Sequence, residues 1–342
     1  MLLLAPIVRG GIARRTLHLR SLHAKASRVP LLLTPKELKA IDPKTIVALD
    51  ASWHMPTSDR NGNDEFNAGP RLPGAQRFDI DAVAELRPEI NRLSLTHMIP
   101  TVGVFQDAVE KFGITPDTHV VVYDTIGVFS SPRGAYTFKT FGHDKVSVLD
   151  GGLPRWIAEG GEVEVGDVAK PKVASYPAGE IDHDNIRTYD QIVDNISKSP
   201  EAAEIVLDAR NIGRFSGEEP EPRPGLESGH IPGSGHLPFA SLLTEATPER
   251  PYTSFKSPAE LREILVAAVG GEGAWKDVLD GKRGVVFSCG SGLTAGVDWL
   301  AAQLVAEAEG KSPKTAIYDE SWTGYASRPQ SVIEKGEPKP LK

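Results

Sequence analysis

The sequence contains one cysteine, Cys289, among 342 residues, and this scarcity excludes an intramolecular disulfide and any multi-cysteine zinc or iron–sulfur site. No stretch reaches the roughly 18 apolar residues that a membrane-spanning helix needs. The net charge of −8 provides no basic surface for nucleic acid, so we expect neither a membrane nor a nucleic-acid partner. Hydrophobic residues make up 40% of the chain, and at roughly 150 residues per domain the length predicts about two soluble globular domains.

Acidic residues are absent from the first thirty positions. This stretch instead contains six basic residues: Arg9, Arg14, Arg15, Arg20, Lys25 and Arg28. Because the first thirty residues carry +6, the rest of the chain has a net charge of −14. An acid-free, arginine-rich segment with scattered Leu and Ser is typical of a mitochondrial transit peptide, with a disordered basic tail as the alternative. We predict that residues 1–30 are a transit peptide directing the protein to the mitochondrial matrix, and an additional cytoplasmic pool stays open.

The body of the chain contains the same series of fragments twice, roughly 160 residues apart. The paired fragments are residues 47–51 and 206–210, 71–75 and 230–234, 120–124 and 285–289, and 146–150 and 315–319. Short β-branched runs that alternate with segments of helical spacing predict an α/β fold in which each half is a mostly parallel sheet flanked by helices. We predict an N-terminal domain over residues 31–165, a linker over 166–185, a C-terminal domain over 186–330 and a tail over 331–342.

Cys289 ends one of these apolar runs, at the edge of the sheet where α/β proteins bind ligands. The glycines of the loop over residues 289–294 allow backbone N–H groups to point inward, and a helix N-terminus follows, so we expect an anion there. The loop is thereby predicted to hold Cys289 as a nucleophilic thiolate, the alternative being a small buried apolar residue.

Three other interpretations of this loop fit less well. A dinucleotide site expects an acidic residue about twenty positions on, and here Asp319 follows after some thirty. A cysteine-dependent phosphatase needs an arginine where Ala295 stands, since that arginine clamps the phosphoryl oxygens. A serine hydrolase needs a glycine two residues before Ser291, and the position is occupied by Cys289.

The repeats and the loop, together with residues 213–215, 219–223, 228–233 and 318–322, resemble the rhodanese superfamily, and most of all its members that act on 3-mercaptopyruvate. The resemblance covers nearly all of residues 31–330 and implies two tandem rhodanese-like domains. In that family the N-terminal repeat lacks the nucleophile, and here Asp124 stands at the position equivalent to Cys289. We expect no cofactor and no metal, and interpret His230 and His236 as structural histidines.

The resemblance implies that Cys289 takes the sulfur of 3-mercaptopyruvate as a persulfide and that pyruvate leaves. The outer sulfur of the persulfide then passes to a thiol such as thioredoxin or glutathione. Arg214 and Arg223 match the family's substrate-binding arginines, whose forked donors suit a carboxylate. The alternative for both is an ordinary surface ion pair with a neighbouring glutamate. The other loop residues expected to bind substrate are Gly290, Gly292, Leu293 and Thr294.

Members specialised for thiosulfate usually carry Arg and Lys directly after the cysteine, whereas this chain has Gly290 and Ser291, which favours 3-mercaptopyruvate. A thiosulfate sulfurtransferase, a sulfur-relay factor feeding tRNA thiolation and a non-catalytic binding module are the alternatives. In the family the residue at Ser291 is placed in a proton relay with an Asp and a His. Here Arg71 stands where that His is expected, and Asp59 and Asp64 both stay open for the acid.

Overall fold

The computed structural model describes residues 29–177 and 179–341, so the predicted transit peptide lies outside the described residues except at its last two positions. The N-terminal half forms five strands and five helices. They are β1 (Leu32–Leu33), α1 (Pro35–Lys39), β2 (Ile46–Asp50), α2 (Gly62–Ala68), β3 (Gln76–Arg77), α3 (Val102–Lys111), β4 (His119–Tyr123), α4 (Ser131–Thr140), β5 (Val146–Leu149) and α5 (Gly152–Ala158).

The C-terminal half repeats this alternation and adds a short ribbon of two antiparallel strands, β9 and β10. Its elements are β6 (Ile186–Arg187), α6 (Tyr189–Ile196), β7 (Ile205–Asp208), α7 (Ile212–Ser216), β8 (Gly235–His236), β9 (Leu243–Thr244), β10 (Ser254–Phe255), α8 (Pro258–Ala268), α9 (Glu272–Leu279), β11 (Val285–Ser288), α10 (Ala295–Ala308), β12 (Thr315–Tyr318) and α11 (Ser321–Ala326).

The two five-stranded sheets have the same topology. Their strand orders are β1-β5-β4-β2-β3 and β6-β12-β11-β7-β8, and neighbouring strands in both sheets are parallel. The prediction of an α/β fold with two mostly parallel sheets is therefore confirmed. The strands expected from the apolar runs begin within one residue of those observed and end within two. One shift concerns the site, because β11 ends at Ser288 and Cys289 is the first residue of the loop.

The helices begin where the sequence supplies capping groups. Thr34 with Glu37, Thr188 with Gln191, and Ser257 with Glu260 form reciprocal capping boxes at the starts of α1, α6 and α8.

The segment predicted as a linker contains no helix or strand over residues 166–177 and lies along the N-terminal domain. Its contacts include a hydrogen bond from Gln76 Nε2 to the carbonyl of Ala169 and another from Gln106 Nε2 to the carbonyl of Tyr176. The Tyr176 ring is buried and packs edge-on against Phe105.

One apolar core is shared by both domains. It combines residues that face each other from α4, α10 and both sheets, and the rings of Tyr136 and Trp299 meet edge to face across the boundary with centroids 5.2 Å apart. At Gly296 a Cβ atom would lie 2.8 Å from the backbone nitrogen of Arg133, so only glycine permits this close approach of α10 to α4. The two domains are therefore held as one body around the helix that follows Cys289.

No helix among residues 29–177 and 179–341 has both the length and the apolar character needed to cross a membrane.

Asp298, in the first turn of α10, is fully buried, and neither of its carboxyl oxygens has a hydrogen-bond partner among the described residues. Burial raises its pKa well above the usual value, and the nearby charges of Cys289 and Asp208 add to the increase. Folding therefore favours the protonated acid, and its contribution to stability falls as the pH rises above the pKa of the unfolded chain.

We predict that Asp298→Leu increases the free energy of unfolding at pH 7 by about 1–3 kcal/mol, because it removes an unpaired buried polar group. Urea denaturation at several pH values measures this change. The gain should shrink below about pH 4, where the acid is protonated in both the folded and the unfolded chain. A gain of the same size at pH 4 and pH 8 would contradict the explanation.

Candidate active site

Cys289 lies on the floor of a cavity of about 280 Å³ between the two domains. The C-terminal domain contributes the loop after β11 and the segment after β7, and the N-terminal domain contributes Trp53, Met55 and Phe129. Only 2% of Cys289 is exposed to solvent, but it lines the cavity instead of being enclosed by apolar side chains alone. The cavity lies at the carboxyl ends of β7 and β11, the edge predicted from the strand pattern.

Three carbonyl groups of the loop point outward and are held by hydrogen bonds from neighbouring segments. The carbonyl of Cys289 accepts from Trp322 N at 2.9 Å, that of Gly290 from Thr323 N at 2.9 Å, and that of Gly292 from Arg133 Nη1 at 3.2 Å. In a trans peptide the C=O and the following N–H point in opposite directions. The N–H groups of residues 290, 291 and 293 therefore point toward the inner side of the loop.

The N–H groups of residues 290–295 find no protein acceptor among the described residues. A run of open donors ahead of the helix α10 is a binding site for an anion. We refer to these six N–H groups as the amide cup.

The equivalent loop of the N-terminal domain shows what such a cup binds. The buried carboxylate of Asp124 occupies the place of Cys289, with Oδ1 and Oδ2 accepting six hydrogen bonds. The donors lie 2.7–3.1 Å away and are the N–H groups of Ile126, Gly127, Phe129, Ser130 and Ser131 and the hydroxyl of Ser131. One repeat thus fills its cup with its own carboxylate, while the other leaves its donors open beside a thiol.

Arg214 and Arg223 both line the cavity, as expected from the sequence, but their partners differ. Arg214 pairs with the buried Glu221 at 2.5 Å, whereas Arg223 forms no ion pair with any carboxylate among the described residues. Its one hydrogen bond, at 3.5 Å, goes to the hydroxyl of Thr96 from the N-terminal domain. Burial lowers the pKa of Arg223, and the charge of Cys289 opposes that shift. Arg223 is therefore a cation that has no acidic partner beside the thiol.

A buried network holds Arg214 in place. Glu221 is shared between Arg214 and Arg210, whose Nη1 lies 2.7 Å from Glu221 Oε1. Arg210 also pairs with Asp208, at the end of β7, at 2.6 Å. Two arginines and two acids thus balance one another, and this cluster leaves Arg223 as the unbalanced charge facing the cavity.

The remaining wall of the cavity is apolar and crosses the domain boundary. The rings of Trp53 and Phe129 are stacked with centroids 6.4 Å apart, and Phe129 meets Phe239 of the C-terminal domain edge to face at 5.7 Å. The sequence analysis did not identify Met55, Phe129 or Phe239 as residues of the site. Position along the chain could have indicated two of the wall residues. Trp53 and Phe129 follow the carboxyl ends of β2 and β4, and these strands are the counterparts of β7 and β11.

Of the loop residues predicted to form the site, Gly290, Ser291, Leu293 and Thr294 line the cavity with Cys289. Gly292 does not, because its carbonyl faces Arg133 on the outer side of the loop. Its φ of +79° favours glycine, and a Cβ atom there would lie 2.9 Å from the carbonyl oxygen of Asp319. We therefore interpret Gly292 as shaping the loop and not as a contact to ligand.

The candidate relay residues are not brought together with Ser291. Arg71 is buried and donates to the carbonyls of Phe66 and Asp167, while Asp59 and Asp64 are exposed; none of the three lines the cavity. Ser291 lines the cavity, and its hydroxyl has no hydrogen-bond partner among the described residues.

A different histidine and aspartate pair lies behind the cavity wall. His97 Nδ1 is 2.6 Å from Asp81 Oδ1, and Asp81 Oδ2 accepts from Trp53 Nε1 at 2.9 Å. Burial lowers the pKa of His97, which favours the neutral ring. Although burial by itself raises the pKa of Asp81, the hydrogen bonds from His97 and Trp53 bring it below the usual value. This pair anchors Trp53, and no sequence signal singled it out.

Within residues 29–177 and 179–341, no group of three or more His, Cys, Asp or Glu side chains is arranged to hold a metal ion. His230 stacks on Phe215 and bonds to its carbonyl, and His236 bonds to the carbonyl of Arg210.

Comparison with known proteins identifies relatives over most of the chain. The rhodanese-like domain family matches residues 34–159. A probable 3-mercaptopyruvate sulfurtransferase of Schizosaccharomyces pombe is 37% identical over 88% of this chain and 92% of the relative, and the human 3-mercaptopyruvate sulfurtransferase is 34% identical over 92% and 94%. A protein of Arabidopsis thaliana named thiosulfate/3-mercaptopyruvate sulfurtransferase 1, mitochondrial, is 34% identical over 84% of this chain and 74% of its own.

A solved structure has the same fold as this chain over most of its length. The crystal structure of the Tum1 protein of Saccharomyces cerevisiae superposes with a TM-score of 0.74 at 30% identity, covering 90% of this chain and all of that one.

The six hydrogen bonds to Asp124 predict a large effect of its removal. We expect Asp124→Ala to lower the free energy of unfolding by about 3 kcal/mol or more, because several buried donors lose their acceptor at once. Asp124→Asn retains one acceptor oxygen and should lose less. Urea denaturation measures both variants, and Asp117→Ala, at an exposed carboxylate of the same domain, should leave stability unchanged. An Asp124→Ala protein as stable as the wild type would contradict the account of the cup.

Proposed function

The chain belongs to the rhodanese family, and we propose from that premise and from the site around Cys289 that it transfers the sulfur of 3-mercaptopyruvate to a thiol acceptor and releases pyruvate. The observation that carries this proposal is the amide cup, which stands open around Cys289 at the floor of a cavity. The same cavity contains Arg223, which pairs with no carboxylate in the part of the chain that the structure describes. A thiolate and a 2-oxo acid are the two anions that such a site accommodates.

In the first half of the reaction the thiolate of Cys289 attacks the thiol sulfur of 3-mercaptopyruvate. A sulfur–sulfur bond forms, the carbon–sulfur bond breaks, and its electron pair leaves with the enolate of pyruvate. The proton lost from the substrate thiol balances the one that the enolate takes at carbon, so the persulfide is left as an anion. The amide cup stabilises the thiolate before this step and the persulfide anion after it. In the second half a thiol or another nucleophile removes the outer sulfur and restores Cys289.

Arg223 and Arg214 orient the substrate in this proposal. The carboxylate and the adjacent carbonyl oxygen of a 2-oxo acid lie in one plane and match the forked donors of a guanidinium. Arg223 supplies the charge that the substrate carboxylate neutralises, while Glu221 fixes the direction of Arg214. The reacting methylene and sulfur then face Cys289 along the apolar wall formed by Trp53 and Phe129.

The loop sequence supports 3-mercaptopyruvate over thiosulfate as the donor. Thiosulfate carries two negative charges, and Gly290 and Ser291 add no cation to the single unbalanced charge of Arg223. Thioredoxin and glutathione are the thiol acceptors we propose. The acid-free basic segment at residues 1–30 supports import into mitochondria.

Replacement of the nucleophile should abolish turnover. We predict that Cys289→Ser loses pyruvate release from 3-mercaptopyruvate by at least about 1000-fold, because a serine hydroxyl is not ionised at neutral pH and forms no persulfide. Pyruvate and sulfide release measure the activity, and Ser288→Ala, at the last residue of β11, is the matched control. Thiosulfate with cyanide is assayed beside it.

Equal turnover by Cys289→Ser would eliminate this mechanism, and faster turnover of thiosulfate than of 3-mercaptopyruvate would overturn only the choice of donor. Intact-protein mass spectrometry after one half-reaction should show about 32 Da added at Cys289, the mass of one sulfur atom.

Removing either cavity arginine should weaken substrate binding. We predict that Arg223→Met and Arg214→Met raise KM for 3-mercaptopyruvate about 10- to 100-fold, the range expected for losing a charge-assisted hydrogen bond. Steady-state kinetics measure KM, and Arg262→Met, at an exposed arginine of α8 remote from the cavity, should leave it unchanged. An unchanged KM in both cavity variants would show that the carboxylate binds elsewhere.

A further inference from the structure

We propose that Arg133, in the non-catalytic N-terminal domain, is a positioning residue that holds the amide cup of the C-terminal domain in its anion-binding shape and so sets the reactivity of Cys289. The inference rests on the proposed function, because it concerns the same thiol. It assigns to the first repeat a role in the chemistry of the second.

Arg133 is located where three segments meet. It lies in the first turn of α4 with 1% of its surface exposed, and its guanidinium donates to three acceptors. These are the carbonyl of Gly292 at 3.2 Å, the carbonyl of His97 at 2.5 Å and Asp319 Oδ1 at 2.5 Å. Asp319 Oδ2 in turn accepts from Ile99 N at 2.9 Å. One buried cation thus joins the catalytic loop to the end of β12 and to the segment 97–99.

The contact with Gly292 determines the direction of a peptide plane. Because the Gly292 carbonyl is fixed toward Arg133, the N–H of Leu293 in the same plane points the opposite way, into the cup. Gly292 has φ +79°, a conformation in which its backbone could turn freely if the carbonyl were released. The hydrogen bond from Arg133 removes that freedom at the most mobile residue type in the loop.

The cup of the N-terminal domain shows why an outside support is needed. That loop is organised from within, by the six hydrogen bonds that Asp124 accepts. The loop at Cys289 has no carboxylate to gather its N–H groups. Its shape depends instead on the three carbonyls held from outside, and the contact from Arg133 is the one that comes from the other domain.

A charged donor also strengthens the peptide it binds. A hydrogen bond from a guanidinium to a carbonyl polarises the peptide and makes its N–H a better donor. The positive charge of Arg133 is neutralised by the carboxylate of Asp319. Arg133 therefore affects Cys289 through the orientation of the Leu293 peptide, and not through the electric field of its charge. A lysine, which keeps the charge but not the fork, should therefore fail to replace it.

Other charged groups near Cys289 stay the same in the test. Arg214 and Arg223 face the thiol from the cavity, and Asp298 of α10 lies close enough to Cys289 for their charges to interact. Changes in Cys289 reactivity between the variants below and the wild type therefore report on the loop.

The experiment compares Arg133→Lys and the double variant Arg133→Met/Asp319→Asn with the wild type. The double variant removes the ion pair without leaving a buried carboxylate unpaired. Lys139→Met, at the opposite end of the same helix, is the matched control for loss of a cation. The readouts are the rate of Cys289 alkylation by iodoacetamide as a function of pH, and kcat and KM for 3-mercaptopyruvate, on proteins whose circular dichroism matches the wild type.

We expect both Arg133 variants to alkylate about tenfold more slowly at pH 7, with the midpoint of the profile about one pH unit higher, the correspondence expected for one unit of ionisation. Their kcat should fall by a similar factor while KM stays within about twofold, since Arg214 and Arg223 are unchanged. The Lys139→Met control should match the wild type in its alkylation profile, in kcat and in KM.

Wild-type alkylation profiles in the Arg133 variants would overturn the inference, and so would a change confined to KM. Restoration of the wild-type profile by lysine would overturn the role of geometry and leave charge as the cause. A wild-type protein that releases no pyruvate would overturn the proposed function instead, and the alkylation profiles would still decide the role of Arg133.

Discussion

The structure depends on a constraint of backbone chemistry: amide groups gathered at a buried turn require an acceptor. Both repeats build such a turn after their central strand, β4 or β11, and both begin a helix directly beyond it. In the first repeat the carboxylate of Asp124 accepts from these amides, so the loop has no open donors left for a ligand. The second offers the amides a thiol, which meets the requirement only as an anion. In the proposed function, the reactivity of the sulfur is thus the consequence of leaving the acceptor out of the loop.

Closure of the first loop changes what the N-terminal domain can do. Because Asp124 supplies the anion, this domain needs no ligand of its own, and its strand ends are available to build the wall of the neighbouring cavity. Trp53 and Phe129 stand at those strand ends. The pair formed by Asp81 and His97 then fixes Trp53 from behind. The two domains therefore share one topology but are unequal: the first supports the cavity wall, and the second carries the cysteine that we propose as the nucleophile.

The sequence predicts strands and loops well because these are local properties. Short β-branched runs predicted the starts of β7 and β11 within one residue and their ends within two, and the glycines around Cys289 predicted the turn that the structure shows. Contacts between the halves have no such signature. Arg133 and Gly292 are separated by 159 residues, and neither the period of α4 nor the loop pattern indicates that they meet. Arg71 lies away from the cavity because its guanidinium donates to the carbonyls of Phe66 and Asp167, and no local pattern in the sequence indicates these contacts either.

Charge balance within the cavity limits which donors the site suits. Asp208, Arg210, Glu221 and Arg214 neutralise one another, so the side chains present one free positive charge, on Arg223, and the amide cup presents partial charges. A sulfur donor with one carboxylate pairs that carboxylate with Arg223, and the amide cup stays available to bind the sulfur of Cys289. A dianion such as thiosulfate competes with the thiolate for the cup, because the second cation beside Gly290, Arg214, is already paired with Glu221. The discrimination therefore follows from the buried pairing of Arg214 as much as from the loop residues themselves.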